Sequence, residues 1–271
     1  MLRWLAGTIL LASLAAAPGT ASAVEPPVGM SDAPCPAPQP DAFALDPRIL
    51  AADWAWLCRY RAENALADPQ HPPRAVFIGD SITENWRSAD ADFFAHGNLG
   101  RGISGQTSPQ VLVRFYQDVV ALHPAVVHIL IGTNDIAGNT GPTSPEAYQN
   151  AVRAMVDIAK ANHIAVILGA IPPSVSFGWQ PAVKPGPWVA RLNQWLKEYA
   201  AEQHLVFADY HVALAGPAGE LPAEFGPDGV HPNAAGYAVM RGVAERAIAA
   251  ADNCARAWQG NSARSVKCEI P

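Results

Sequence analysis

Two residues far apart in the chain have the types needed for acyl transfer: Ser81, in the turn Gly79-Asp80-Ser81, and His231, in Asp228-Gly229-Val230-His231-Pro232. A serine hydroxyl is a weak nucleophile near neutral pH, so it needs a base within hydrogen-bond reach and a third group to hold that base. Asp228 precedes His231 by three positions and can curl back to accept from one imidazole nitrogen, fixing the tautomer and stabilising the imidazolium. Attack on an ester carbonyl also creates an oxyanion, which requires donors already aimed at it. Two glycine-containing turns can supply them. Ile103-Ser104-Gly105-Gln106-Thr107 lets a backbone N–H approach a ligand closely, and Gly132-Thr133-Asn134-Asp135 offers the side-chain amide of Asn134.

Each block alone is ambiguous. Gly-Asp-Ser and Gly-Thr-Asn-Asp both suit ordinary turns, and Pro232-Asn233 suits a helix start, so Asp228 and His231 also fit capping roles. What points to chemistry is their occurrence together, in order and each at the C-terminal end of an expected strand. Asp80 adjoins the nucleophile, but adjacent side chains leaving a strand point apart, so it is expected to hold the turn through backbone hydrogen bonds.

The elements that must position these residues are legible as an alternation. Apolar runs at 75–78, 98–99, 125–131, 165–170 and 205–208 read as strands, and 109–122, 145–162, 188–203 and 234–251 as helices. A further helix is expected over 50–67, with Trp54, Leu57, Cys58, Arg61 and Ala65 on one face. Such alternation predicts an α/β fold with a parallel sheet and helices on both faces. The loops 136–144 and 172–187 are longer than connection requires, and either could wall a pocket. Trp86, Arg101 and Trp179 are the candidates for substrate contact, although structural roles fit them as well, and His128 reads as a core residue. Gly100-Arg101-Gly102-Ile103-Ser104-Gly105 matches the dinucleotide fingerprint in letters only, because it follows no well-formed first strand and no acid ends a second strand about 20 residues on.

At 271 residues and half apolar, the chain can bury one large core. Arg3, the apolar segment 4–17 and Ala21-Ser22-Ala23 form the pattern of a signal peptide over 1–23, cleaved after Ala23, which predicts a secreted or periplasmic protein. The apolar segment falls short of the roughly 20 residues of a span, and Pro18 and Gly19 interrupt it, so no stable membrane anchor is expected. Residues 24–47 form a Pro-rich linker or arm, 48–252 the functional domain and 253–271 a C-terminal tail. The formal charge of −6, without long runs of either sign, argues against nucleic acid as a partner. Cys35, Cys58, Cys254 and Cys268 allow three disulfide pairings, of which Cys35 with Cys58 and Cys254 with Cys268 is favoured. No Cys-x-x-Cys or His-x-x-His spacing supports a metal site.

In the order Gly79-Asp80-Ser81, Gly105, Gly132-Thr133-Asn134-Asp135 and Asp228-Gly229-Val230-His231, the chain resembles the SGNH or GDSL-type hydrolases over about 75–250. The resemblance implies a flavodoxin-like three-layer α/β/α sandwich whose five-stranded parallel sheet has the order 2-1-3-4-5. It implies Ser81, His231 and Asp228 as triad, with the N–H groups of Ser81 and Gly105 and the Asn134 side chain as oxyanion donors, and no cofactor. The branch it is most similar to acts on short acyl or acetyl esters, including carbohydrate esters. Gln106 departs from the pattern, since many relatives carry an acid there. An acyltransferase using the same triad and a non-catalytic binding module of the same fold are the alternatives.

Overall fold

The computed structural model describes Cys35 and residues 46–259; the expected signal peptide over 1–23, residues 24–34 and 36–45, and Cys268 lie outside the described residues, as does the Cys254 side chain. Two short helices come first, α1 (Pro47–Ala52) and α2 (Arg61–Ala65). Strand β1 (Ala75–Gly79) leads into α3 (Ser81–Ala89) and α4 (Ala91–Ala95), then β2 (Asn98–Gly102), α5 (Ser108–Asp118), β3 (Val126–Leu130), α6 (Thr133–Ala137) and α7 (Pro145–Ala161). The order closes with β4 (Ala165–Gly169), α8 (Pro185–Glu202), β5 (Val206–Ala208), α9 (Tyr210–Leu214) and α10 (Ala234–Gln259).

The five strands form one sheet in the order β2-β1-β3-β4-β5, every pair parallel. A parallel sheet covered on both faces needs apolar residues at every strand position, and β1, β3 and β4 are buried throughout. Alternate side chains supply two cores: Val76, Ile78, Val127 and Ile129 pack with Phe115, Val152 and Leu192 of α5, α7 and α8. Ala75, Phe77 and Ile167 pack with Trp86 of α3 and Met240 and Ala244 of α10. Gly79 sits level with Gly102 on one side and Leu130 on the other, so the segments leaving β1, β2 and β3 emerge along one edge of the sheet. This is the three-layer sandwich expected, with the expected strand order.

Two readings of the helices need correction. The 50–67 segment is not one helix: the Asp53 carboxylate accepts from the backbone N–H groups of Leu57 and Cys58, each at 2.8 Å, and Trp56 has φ +52°. An aspartate that offers the backbone such partners competes with the helical ladder, and a disulfide from Cys35 to Cys58, Cα atoms 5.5 Å apart, holds the resulting turn. The last helix runs to Gln259, beyond the expected 251. Among the described residues, no helix is long and apolar enough to cross a membrane.

Candidate active site

Ser81 is the first residue of α3, directly after β1. Asp80 caps that helix, its Oδ1 accepting from the Ile82 N–H at 3.0 Å, which holds the strand-to-helix turn that presents Ser81. Ser81 Oγ lies 2.8 Å from His231 Nε2, and His231 Nδ1 lies 2.7 Å from Asp228 Oδ2. The other Asp228 oxygen accepts from the backbone N–H groups of Val230 (2.9 Å) and His231 (2.7 Å), so one carboxylate fixes both the ring and the turn bearing it. Gly229 in that turn has φ +74°, a left-handed conformation that glycine adopts without a steric penalty. Partial burial pushes the Asp228 carboxyl up, but bonds from the His231 ring and the two backbone N–H groups outweigh it and hold the group below the usual carboxylate range. An ionised Asp228 leaves the Nδ1 proton facing it and the Nε2 lone pair facing the Ser81 hydroxyl.

Across from this arm stand Gly105, with φ +84°, and the buried Asn134 of α6. Asn134 Nδ2 donates to the Gln106 carbonyl (3.1 Å) and to Asp80 Oδ2 (3.3 Å). Beneath them lies Arg114 of α5, fully buried, donating to Gln106 Oε1 (2.6 Å), the Arg101 carbonyl (2.8 Å), Asp118 Oδ2 (3.0 Å) and the Gly79 carbonyl (2.9 Å). It therefore ties together the ends of β1 and β2 and the turn containing Gly105. Gln106 also donates from Nε2 to the Ala55 carbonyl at 2.8 Å, which gives a reason for an amide there: it accepts from Arg114 on one side and donates on the other, and a carboxylate cannot donate. Glu84 of α3 accepts from the Ser104 N–H at 2.7 Å. Burial pushes the Asp80 carboxyl up to about 7 and that of Asp135, which accepts from Ser108 Oγ at 2.6 Å, up to about 6.

Residues 77–239 match the GDSL-like lipase/acylhydrolase family. The chain belongs to that family. A candidate acylhydrolase from Bacteroides fragilis is 44% identical, superimposes with a TM-score of 0.70, and is matched over 73% of this chain and 97% of its own. A GDSL-like lipase from Bacteroides thetaiotaomicron is 38% identical, with a TM-score of 0.69 over 72% of this chain and 98% of its own. The fold is shared with an acetylxylan esterase from Geobacillus stearothermophilus, 23% identical, TM-score 0.54, over 64% of this chain and 93% of its own. No match was found among the curated proteins.

In this member of the family, Ser81, Asp228, His231, Gly105 and Asn134 gather at the same edge of the sheet, whereas two of the three residues expected to contact substrate do not reach it. Trp86 is buried, stacked between Tyr237 (centroids 5.7 Å apart) and Phe93 (5.4 Å). Arg101 is buried over the Tyr60 ring at 4.7 Å, with Nε bonded to Asn64 Oδ1 at 2.9 Å. Both pack the fold. Trp179 does reach the site: it is 43% exposed, its ring lies 6.4 Å from that of His231, and it stacks on the buried Phe177 at 4.8 Å. His128 is a core residue whose Nε2 pairs with the Tyr210 hydroxyl at 2.8 Å; burial pushes it down to about 3, so it stays neutral. Both long loops wall one cavity of about 310 Å³, lined by Ile136, Gly138, Pro142 and Val183 together with Asp135 and Trp188. Among the described residues, no three His, Cys, Asp or Glu side chains cluster as metal ligands. Arg114, Glu84 and Asn139 are the site-bracing residues that the motif reading passed over; the i,i+4 spacing of Arg114 and Asp118 was a signal for the first.

Proposed function

We propose that the chain is a serine esterase that hydrolyses carboxylic esters of short acyl groups, acetyl included, through an acyl-enzyme. The observation that carries this reading is the unbroken relay from Asp228 through His231 to Ser81, with both bonds under 3 Å. Ser81 Oγ attacks the ester carbonyl while His231 Nε2 takes its proton; His231 then returns that proton to the leaving alcohol, and water repeats the two steps to free the acid. Asp228 stays ionised throughout and stabilises the imidazolium. The Ser81 and Gly105 N–H groups and the Asn134 amide receive the oxyanion. Asn134 already points its NH₂ at carbonyl and carboxyl oxygens, which a developing oxyanion can replace as acceptor. The exposed face of Trp179 beside His231 offers the alcohol part a flat apolar surface, which suits carbohydrate esters among the substrates. The signal-like amino terminus makes export to the periplasm or medium part of the same proposal.

Ser81→Ala, assayed on p-nitrophenyl acetate, is expected to lose at least ~10⁴-fold in kcat while keeping its fold. Retention of most of the turnover would sink the proposal.

A further inference from the structure

We infer that Asn139 is a positioning residue that decides which end of the Asn134 amide faces the reacting centre, and that Trp179 decides the orientation of Asn139. The inference rests on the reading of Asn134 as an oxyanion donor.

A primary amide is nearly symmetric in shape but not in chemistry. A half-turn about its last bond exchanges the NH₂, which can stabilise an oxyanion, for the C=O, which repels one. Something must therefore fix the polarity of Asn134. Its Oδ1 accepts from Asn139 Nδ2 at 2.6 Å, which leaves Nδ2 for the site side. Asn139 has the same ambiguity, and it is resolved by a group that has none: the indole N–H of Trp179 can only donate, and it donates to Asn139 Oδ1 at 3.0 Å. Each bond dictates the next, from indole N–H to Asn139 carbonyl, from Asn139 NH₂ to Asn134 carbonyl, and from Asn134 NH₂ to the site.

Two further bonds keep the segment in place. The Asn139 backbone N–H donates to the Asn134 carbonyl at 3.1 Å, and Thr140 Oγ1 lies 2.8 Å from Thr107 Oγ1, two residues beyond Gly105. The chain thus links the oxyanion donor to the 172–187 loop, whose Trp179 ring stands beside His231. Among the described residues Asn139 Nδ2 is the hydrogen-bond donor that Asn134 Oδ1 meets, so Asn139 holds the oxygen end of the amide while the Gln106 carbonyl and Asp80 Oδ2 receive the NH₂ end that an oxyanion would draw away.

The test is a mutant cycle on p-nitrophenyl acetate. Asn139→Asp sets a carboxylate oxygen against Asn134 Oδ1, so acceptor meets acceptor and the reversed amide is favoured. Since one oxyanion donor is worth about 10²–10³ in kcat, a partial reversal is expected to lower kcat about 10- to 100-fold with KM changed less than about threefold. In an Asn134→Ala background the same substitution is expected to cost nothing further, because no amide remains to be oriented. Wild-type kcat in Asn139→Asp, or an undiminished loss in the Asn134→Ala background, overturns the inference, since a merely structural role would act in both backgrounds. Wild-type kcat in Asn134→Ala alone overturns instead the oxyanion reading beneath it. Should Asn139→Asp fail to fold, Trp179→Phe keeps the ring on Phe177 and removes only the donor. It is expected to lower kcat about two- to fivefold, the worth of one neutral hydrogen bond, and again only when Asn134 is present; the same loss without Asn134 overturns the inference.

Discussion

The two halves of the proposed active site, the oxyanion half around Asn134 and the base half around His231, are held in opposite ways. The oxyanion half is buried and braced from many directions: Gln106, Arg114, Asn134 and Asp135 are all within 5% of full burial, and Arg114 alone makes four hydrogen bonds. The base half stands on a single carboxylate, and that carboxylate is exposed, with 54% of the Asp228 side chain open to solvent against 30% for His231. The carboxyls themselves record the difference. Burial drives Asp80 and Asp135 up, whereas hydrogen bonds hold Asp228 down. A donor array must be rigid before charge develops, because it gains its effect by not having to reorganise. A base that takes up and returns a proton in every cycle benefits from a polar, adjustable setting.

If the contrast is right, Asp228→Asn is a catalytic lesion without a structural one. A buried triad carboxylate is worth about 10⁴ in kcat, and the half-exposed Asp228 is expected to be worth about 10²–10³, with an unchanged melting temperature. A clear drop in melting temperature would erase the distinction. Arg114→Met should behave in reverse. Removing one partner of a buried pair costs about 3–5 kcal/mol, which at roughly 2–4 °C per kcal/mol for a chain of this size lowers the melting temperature by about 6–20 °C. In the surviving folded fraction, kcat should fall less than in Asp228→Asn.

The smallest effect concerns Asp80 and Asp135. Their carboxyls keep protons in the folded state up to pH of about 7 and 6, whereas the unfolded chain loses them near pH 4. The folded state thus binds more protons in between, and the stability these groups contribute is fully present below pH about 4 and is lost as pH rises to about 7. Asp80→Asn keeps an acceptor for the Ile82 N–H and cannot ionise. Its melting temperature is expected to decline less between pH 4.5 and 7.5 than that of the unaltered protein, by several °C, since each pKa unit of the shift is linked to about 1.4 kcal/mol. Its kcat should stay within about tenfold, the worth of one hydrogen bond to Asn134. A loss matching Ser81→Ala in a well-folded Asp80→Asn protein would return Asp80 to the reaction.

The exposed half of the site was the easier to read. Asp228 and His231 sit three residues apart in one turn, so local sequence carries their geometry, and β1, β3 and β4 declared themselves because full burial favours apolar runs, whereas β2, Asn98-Leu99-Gly100-Arg101-Gly102, shows only its start. The buried half is assembled from distant polar side chains whose partners are backbone carbonyls, and carbonyls leave no mark on a sequence. Arg114 bonds to the carbonyls of Gly79 and Arg101, so its i,i+4 spacing to Asp118 signals an ion pair but not the brace it makes between the strand ends. The sequence leaves Trp86 open between substrate contact and packing because the apolar runs do not announce the helix that follows Ser81. Once α3 is in place, Ile82 and Trp86 fall on one face by their spacing of four, and that face is the core. Asn139 lies in a segment with no periodicity, where no pattern argument applies.

The bond from the Tyr237 hydroxyl to the Ile82 carbonyl, 2.8 Å long, ties the last helix to the helix that carries the nucleophile across 155 positions of chain. Arg114 finds its partners within 35 positions. Closing the longer loop is entropically the dearer of the two. The charge-receiving floor is thus built from one continuous stretch of chain, whereas the serine beside it meets its proton acceptor, in the turn before α10, only across 150 positions. A nucleophile whose base comes from so distant a segment is armed only in the complete fold.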